Sequence, residues 1–184
     1  MNTNITDNQE NNTSDKPFIH SEAFTLFDKW SIGIYLMMTV FVTVTYNSFS
    51  IRTAHDIIFV YAFLPQILIY FLLYKSLRNF RCYLIWFGFS ILHLAMFFLM
   101  IGDKPLKPEL GSPKALLHNT FILLLLFQLL RYISLKAQYM ELVMPSKGSS
   151  KDEFDHREVT ILDKLLFITY FIAFATLTYY SFPH

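Results

Sequence analysis

Residues 82–102 read CYLIWFGFSILHLAMFFLMIG, a run without a single Asp, Glu, Lys or Arg. A helix rises about 1.5 Å per residue and the hydrocarbon core of a bilayer is roughly 30 Å thick, so this run is long enough to cross. Outward from it lie four more charge-free stretches: Trp30 to Ile51, Ile57 to Tyr74, Ala115 to Leu130, and Leu165 onward. Together they predict an all-α integral membrane protein, a bundle of five transmembrane helices at about 30–50, 57–75, 82–102, 114–133 and 163–182. The second and fourth stretches are the shortest. Lys75, Lys114 and Arg131 at their ends are expected to snorkel to the interface and supply the missing length.

Composition agrees. The chain is 54% apolar and only 16% charged, where a soluble domain carries about 25% charge. Its formal net charge of +1 gives no broad attraction to nucleic acid, so direct nucleic-acid binding is not expected. Cys82 is the only cysteine, which excludes internal disulfides, CxxC redox chemistry and thiolate zinc clusters.

The flanks divide by composition. Residues 1–16 are rich in Asn, Thr and acids and predict a disordered cytoplasmic tail rather than a signal peptide. Residues 17–29 predict an interfacial segment, with Ser21 capping a short surface helix that carries Phe24, Leu26 and Phe27. Beyond Arg131 an apolar helical face continues through Tyr132, Leu135, Tyr139, Leu142 and Val143, until Pro145 ends it. Ser150 and Glu153 match a capping box, so residues 134–162 are expected to form a cytoplasmic helical loop, a short hairpin about Pro145. The pairs Asp28-Lys29 and Asp163-Lys164 each precede a span, and alignment on them also matches Tyr35 with Tyr170 and Thr43 with Thr178. A remnant repeat and shared interfacial chemistry explain this equally well.

Basic residues orient the bundle. Eleven (Lys16, Lys29, Lys75, Arg78, Arg81, Arg131, Lys136, Lys147, Lys151, Arg157 and Lys164) fall on the side of the N-terminus, against four (Arg52, Lys104, Lys107 and Lys114) on the other. The positive-inside rule then puts the N-terminus in the cytoplasm and the C-terminus outside.

Polar residues inside the spans mark the inward faces. Ser31, Tyr35, Thr39, Thr43 and Asn47 form one row, and Ala62, Gln66, Tyr70 and Tyr74 another. The candidate intramembrane polar residues are Gln66, His93, His118, Asn119 and Gln128. His93 has a structural reading, a neutral imidazole bonded to a neighbouring helix, and functional ones: proton relay, haem ligand or metal ligand. Counting inward from the outer face, His93 lies about 12 Å deep and Gln66 about 13 Å, so a direct Gln66–His93 bond is the favoured expectation. His118 is only about 5 Å deep, an offset that opposes a shared haem iron. His55, Asp56, Asp103, His118 and His184 have metal-compatible side chains, but their spacing fits no metal motif. The expectation is no metal and no cofactor.

The charge-free stretches that form the spans proper hold no Asp, Glu, Lys or Arg, and the chain has no H-E-x-x-H, G-x-S-x-G or P-loop. The leading expectation is therefore a non-enzymatic accessory or regulatory subunit of a membrane, most simply the bacterial inner (plasma) membrane. It would act through a protein partner or self-association as well as the bilayer, docking by Tyr139, Met140, Leu142 and Val143. The alternative is an oligomeric pore or leak protein built around the threonine–tyrosine rows. Accessories or effectors of prokaryotic defence systems, such as CRISPR-associated membrane proteins, are one such setting, although no residue here carries that resemblance. A third is a membrane-embedded enzyme or electron-transfer subunit using His93 and His118.

Overall fold

The computed structural model describes residues 18–48, 51–100, 113–143, 145 and 158–181. Among them it is all-helical: α1 (Leu26–Ser48), α2 (Ile51–Phe71), α3 (Phe80–Met100), α4 (Pro113–Gln138) and α5 (Ile161–Ser181), with a 3-10 turn at Ser76–Arg78. Four of these are long and apolar enough to cross a membrane, over Leu26–Thr45, Phe80–Leu99, Ala115–Gln138 and Ile161–Ser181. α2 is 21 residues long and ends at Phe71, four residues before the expected end at 75; over Asp56–Phe71, whose side chains are described, it is apolar.

Contacts fix the directions. Asp28 and Cys82, near the starts of α1 and α3, meet at one end, while Thr39 of α1 meets Tyr61 of α2 midway. His93 of α3 meets Thr120 of α4, Gln66 of α2 meets Leu116 of α4, and Asn119 at the start of α4 meets Ser181 at the end of α5. Hence α1, α3 and α5 start at the end that carries Lys75, Arg78 and Arg131, and α2 and α4 run back towards it. α4 is the hub, packed against α2, α3 and α5, while α1 lies mainly on α2.

The interior mixes aliphatic, aromatic and polar side chains, and the exterior is apolar. Tyr35 stacks on Tyr61 with ring centroids 5.3 Å apart, and Tyr70 lies 4.6 Å from Tyr170. Trp30, Met37, Phe41, Leu99, Ile172 and Tyr180 are exposed. Outward apolar side chains over a polar-bonded core suit a lipid solvent, where polar groups need internal partners.

Three local expectations change. Residues 21–25 are not helical, and Ser21 caps nothing: α1 starts at Leu26 behind Thr25. The Asp28 N–H donates to Thr25 Oγ1 at 3.1 Å and the Thr25 N–H to Asp28 Oδ2 at 2.8 Å, a reciprocal capping box. α4 stops at Gln138, seven residues before Pro145. There Tyr139 takes φ 55° and its N–H reaches the Leu135 carbonyl at 3.1 Å, the left-handed helix ending that glycine usually supplies. Residues 139–143 are a non-helical strap, so within the expected helical loop 134–162 the described helix is confined to 134–138, the end of α4, and 161–162, the start of α5. The expected Ser150 start and the tail 1–16 lie outside the described residues. α5 instead begins behind Thr160, whose N–H donates to Asp163 Oδ2 at 3.0 Å while the Asp163 N–H donates to Thr160 Oγ1 at 3.1 Å. The two Asp-Lys pairs are thus the same device used twice, and Thr25 with Thr160 adds a further identity to the repeat.

Candidate functional site: the basic end and the buried polar network

Three segments close the basic end. Phe18–Thr25 crosses the turn between α2 and α3, the strap 139–143 folds back from α4, and the turn itself is held between them. Phe80 N–H donates to the His20 carbonyl at 2.9 Å, and Asn79 Nδ2 to the Glu22 carbonyl at 3.0 Å. From below, Gln128 Nε2 donates to the Leu77 carbonyl at 3.1 Å. Gln128 is therefore a brace for the turn.

Arg131 does not snorkel. It is 2% exposed, and its guanidinium grips Glu141 in a fork, Nε to Oε2 at 2.8 Å and a terminal nitrogen to Oε1 at 2.6 Å. The other face of the guanidinium lies 4.9 Å from the Phe18 ring centroid. Arg78 completes the clamp, donating to the Leu142 carbonyl at 2.6 Å with Nε 3.9 Å from Glu141 Oε2. Planar bidentate pairing is what lets a guanidinium leave water, and the strap supplies it by turning Glu141 inward. Gln138 Nε2 then ties α4 to α5 through Asp163 Oδ1 at 3.0 Å.

The four docking candidates separate here. Leu142 and Val143 are buried in their own chain and Met140 is half-buried, its carbonyl accepting from Ser134 Oγ at 2.9 Å. Tyr139 is 87% exposed. A sequence pattern could not separate them, because residues 139–143 leave the helix on which the shared face was drawn.

Halfway along the bundle, His93 is fully buried and bonded at both nitrogens. Tyr35 Oη lies 2.6 Å from Nε2, and Thr120 Oγ1 lies 3.2 Å from Nδ1. Either tautomer is served, since both hydroxyls can donate or accept. Thr39 Oγ1 donates to the Tyr35 carbonyl at 2.8 Å, leaving the Tyr61 hydroxyl to donate to Thr39 across 2.8 Å. The expected Gln66–His93 bond is absent. Gln66 Nε2 instead donates to the carbonyls of Ala62 (2.9 Å) and Leu116 (2.8 Å), and the Tyr170 hydroxyl donates to the Gln66 carbonyl at 2.9 Å. Both side chains reach α4, but at Leu116 and Thr120, and it is Tyr61 of α2 that packs on the His93 ring, with centroids 4.7 Å apart.

Nearer the opposite end, Asn119 Nδ2 donates to Ser181 Oγ at 3.1 Å. His118 is half-buried, its ring centroid 5.4 Å from that of Phe97. It is not joined to His93 by any contact described here, and His93 could reach a metal only by giving up a bond it already has. Of the expected outer group, Asp56 is exposed, and the side chains of His55, Asp103 and His184 lie outside the described residues. Among the described residues no three His, Cys, Asp or Glu side chains converge as metal ligands.

No protein family, no curated protein and no solved structure matches this chain. Function therefore has to be read from the geometry alone.

Proposed function

We propose that this chain is a multi-pass membrane protein with five crossings, N-terminus in the cytoplasm and C-terminus outside, in a bacterial inner membrane. It serves there as a non-enzymatic accessory or regulatory subunit that engages a partner protein through its basic end. α2 counts as a crossing on this reading because it is 21 residues long and packs along α1, with Tyr61 bonded to Thr39 midway. The observation that carries the reading is the Arg131–Glu141–Arg78 clamp, which fixes the strap and leaves Tyr139 exposed on it. An ordered surface with a protruding aromatic anchor is suited to recognition, because little conformational freedom is lost on binding. The pore alternative draws no support from the first polar row, since Tyr35 and Thr39 are bonded inside one chain rather than facing a second copy.

Two reporters and one substitution test this. A reporter fused after His184 should be active outside the cytoplasm, and one inserted at Gly148 should be active inside; a reversal at either place overturns the topology. Tyr139→Ser should lower partner recovery from mild detergent while membrane insertion is unchanged. Leu142, being buried, is unsuitable for that test. Unchanged recovery would end the docking reading.

A further inference from the structure

Two amide side chains in the bundle interior each bond through nitrogen and leave the oxygen unmet. Gln66 of α2 and Asn119 of α4 are both 0% exposed, and neither Gln66 Oε1 nor Asn119 Oδ1 has a donor among the described residues. We infer that one internal water molecule bridges these two oxygens, donating a proton to each.

Neither amide can be turned round, which is the first reason. The two ends of an amide are told apart by their partners. Gln66 Nε2 faces two carbonyls, Ala62 at 2.9 Å and Leu116 at 2.8 Å, and an oxygen in its place would be repelled by both. Asn119 Nδ2 faces Ser181 Oγ at 3.1 Å. The Ser181 proton already goes to the Leu177 carbonyl at 2.8 Å, so towards Asn119 that hydroxyl can only accept. Both oxygens are therefore fixed as acceptors. Buried acceptors that no protein group satisfies are where internal water is found.

Position is the second reason. The Gln66 amide is anchored on the Leu116 carbonyl, and Asn119 follows three residues later on the same helix. Residues so spaced have Cβ atoms about 5–6 Å apart, and a helical side chain leans back over the preceding turn. That brings the Asn119 amide beside the Gln66 amide, at a separation one water spans. α5 closes the third side, with Tyr170 bonded to the Gln66 carbonyl and Ser181 to Asn119.

Chemistry then selects the occupant. Two acceptors ask for a small molecule with two protons to give. A cation would meet the same oxygens but needs a counter-charge, and every described acid except the exposed Asp56 belongs to the basic end. The site asks nothing of a partner or of the orientation of the chain.

Radiolytic hydroxyl labelling of the full chain in mild detergent is the test, because radicals born from a bound water modify its buried neighbours. Leu116 should be modified severalfold faster than Leu123 and Leu124, which are also buried on α4. Equally slow labelling of all three in the wild type overturns the proposal, whatever the variants do. Asn119→Leu removes one acceptor and should bring Leu116 down to the rate of the other two. Undiminished labelling there means that bulk solvent reaches this helix end, and the bridge is wrong. Thermal unfolding gives an independent readout. No direct bond joins Gln66 to Asn119 among the described residues, so a shared water predicts that Gln66→Leu and Asn119→Leu together lower Tm by less than the sum of their separate losses. Additive losses overturn the bridge.

Discussion

At the end where α1, α3 and α5 begin, the buried charges are matched: Arg131 to Glu141, Asp163 to Gln138 and Thr160, Asp28 to Thr25. At the end where they finish, Thr45 Oγ1, Asn119 Oδ1 and Thr178 Oγ1 are buried with no partner among the described residues. The difference teaches where helix register is set. A charge inside a low-dielectric bundle is tolerated only in one arrangement, so a matched pair selects one packing among many. Scattered hydroxyls select little, because serine and threonine can fall back on their own helix.

The clamp should give the largest effect. Glu141→Gln leaves the Arg131 guanidinium buried without its counter-charge, and the expected loss is about 3–5 kcal/mol. Thermal unfolding of the detergent-solubilised protein measures it. Replacing both partners by Met should restore much of that loss, because no charge then stays buried. An unchanged Tm for Glu141→Gln would break the comparison outright.

His93 lies between the two ends and shows how far the bonded region extends. His93→Leu should lower stability by about 0.6–2 kcal/mol, the range for interhelical hydrogen bonds in membranes. His93→Gln should retain most of it, since an amide also has a donor and an acceptor for Tyr35 and Thr120. In a double-mutant cycle, Tyr35→Phe should have little further effect once His93 is Leu. Additive losses would mean that the 2.6 Å contact carries no energy of its own.

The smallest effect belongs to the opposite end. Thr178→Val removes a hydroxyl without a described partner, so stability should stay within about 0.5 kcal/mol of wild type or rise slightly. A loss above about 1 kcal/mol would reveal a bonded partner there and make the two ends alike.

Part of the site was legible before folding. T-x-x-D stands before both α1 and α5, and a four-residue reciprocal cap needs nothing from the rest of the chain. Thr25, not Ser21, caps the start of α1, and Thr160 caps α5, while Ser150 lies outside the described residues. Arg131 departs from the expectation for a different reason. An arginine at the end of an apolar run ordinarily reaches for water, and only the left-handed turn at Tyr139 brings Glu141 back to hold it.

The sequence alone determined the number of helices, their approximate ends and the polar residues within them, because charge-free length and capping are properties of local chain. Only the tertiary structure decided direction around each axis. Gln66 and His93 both reach α4, yet the Gln66 amide bonds the Leu116 carbonyl while His93 bonds Tyr35 of α1 and Thr120. Helix rotation is set by all the contacts of a bundle together, and no single segment contains them.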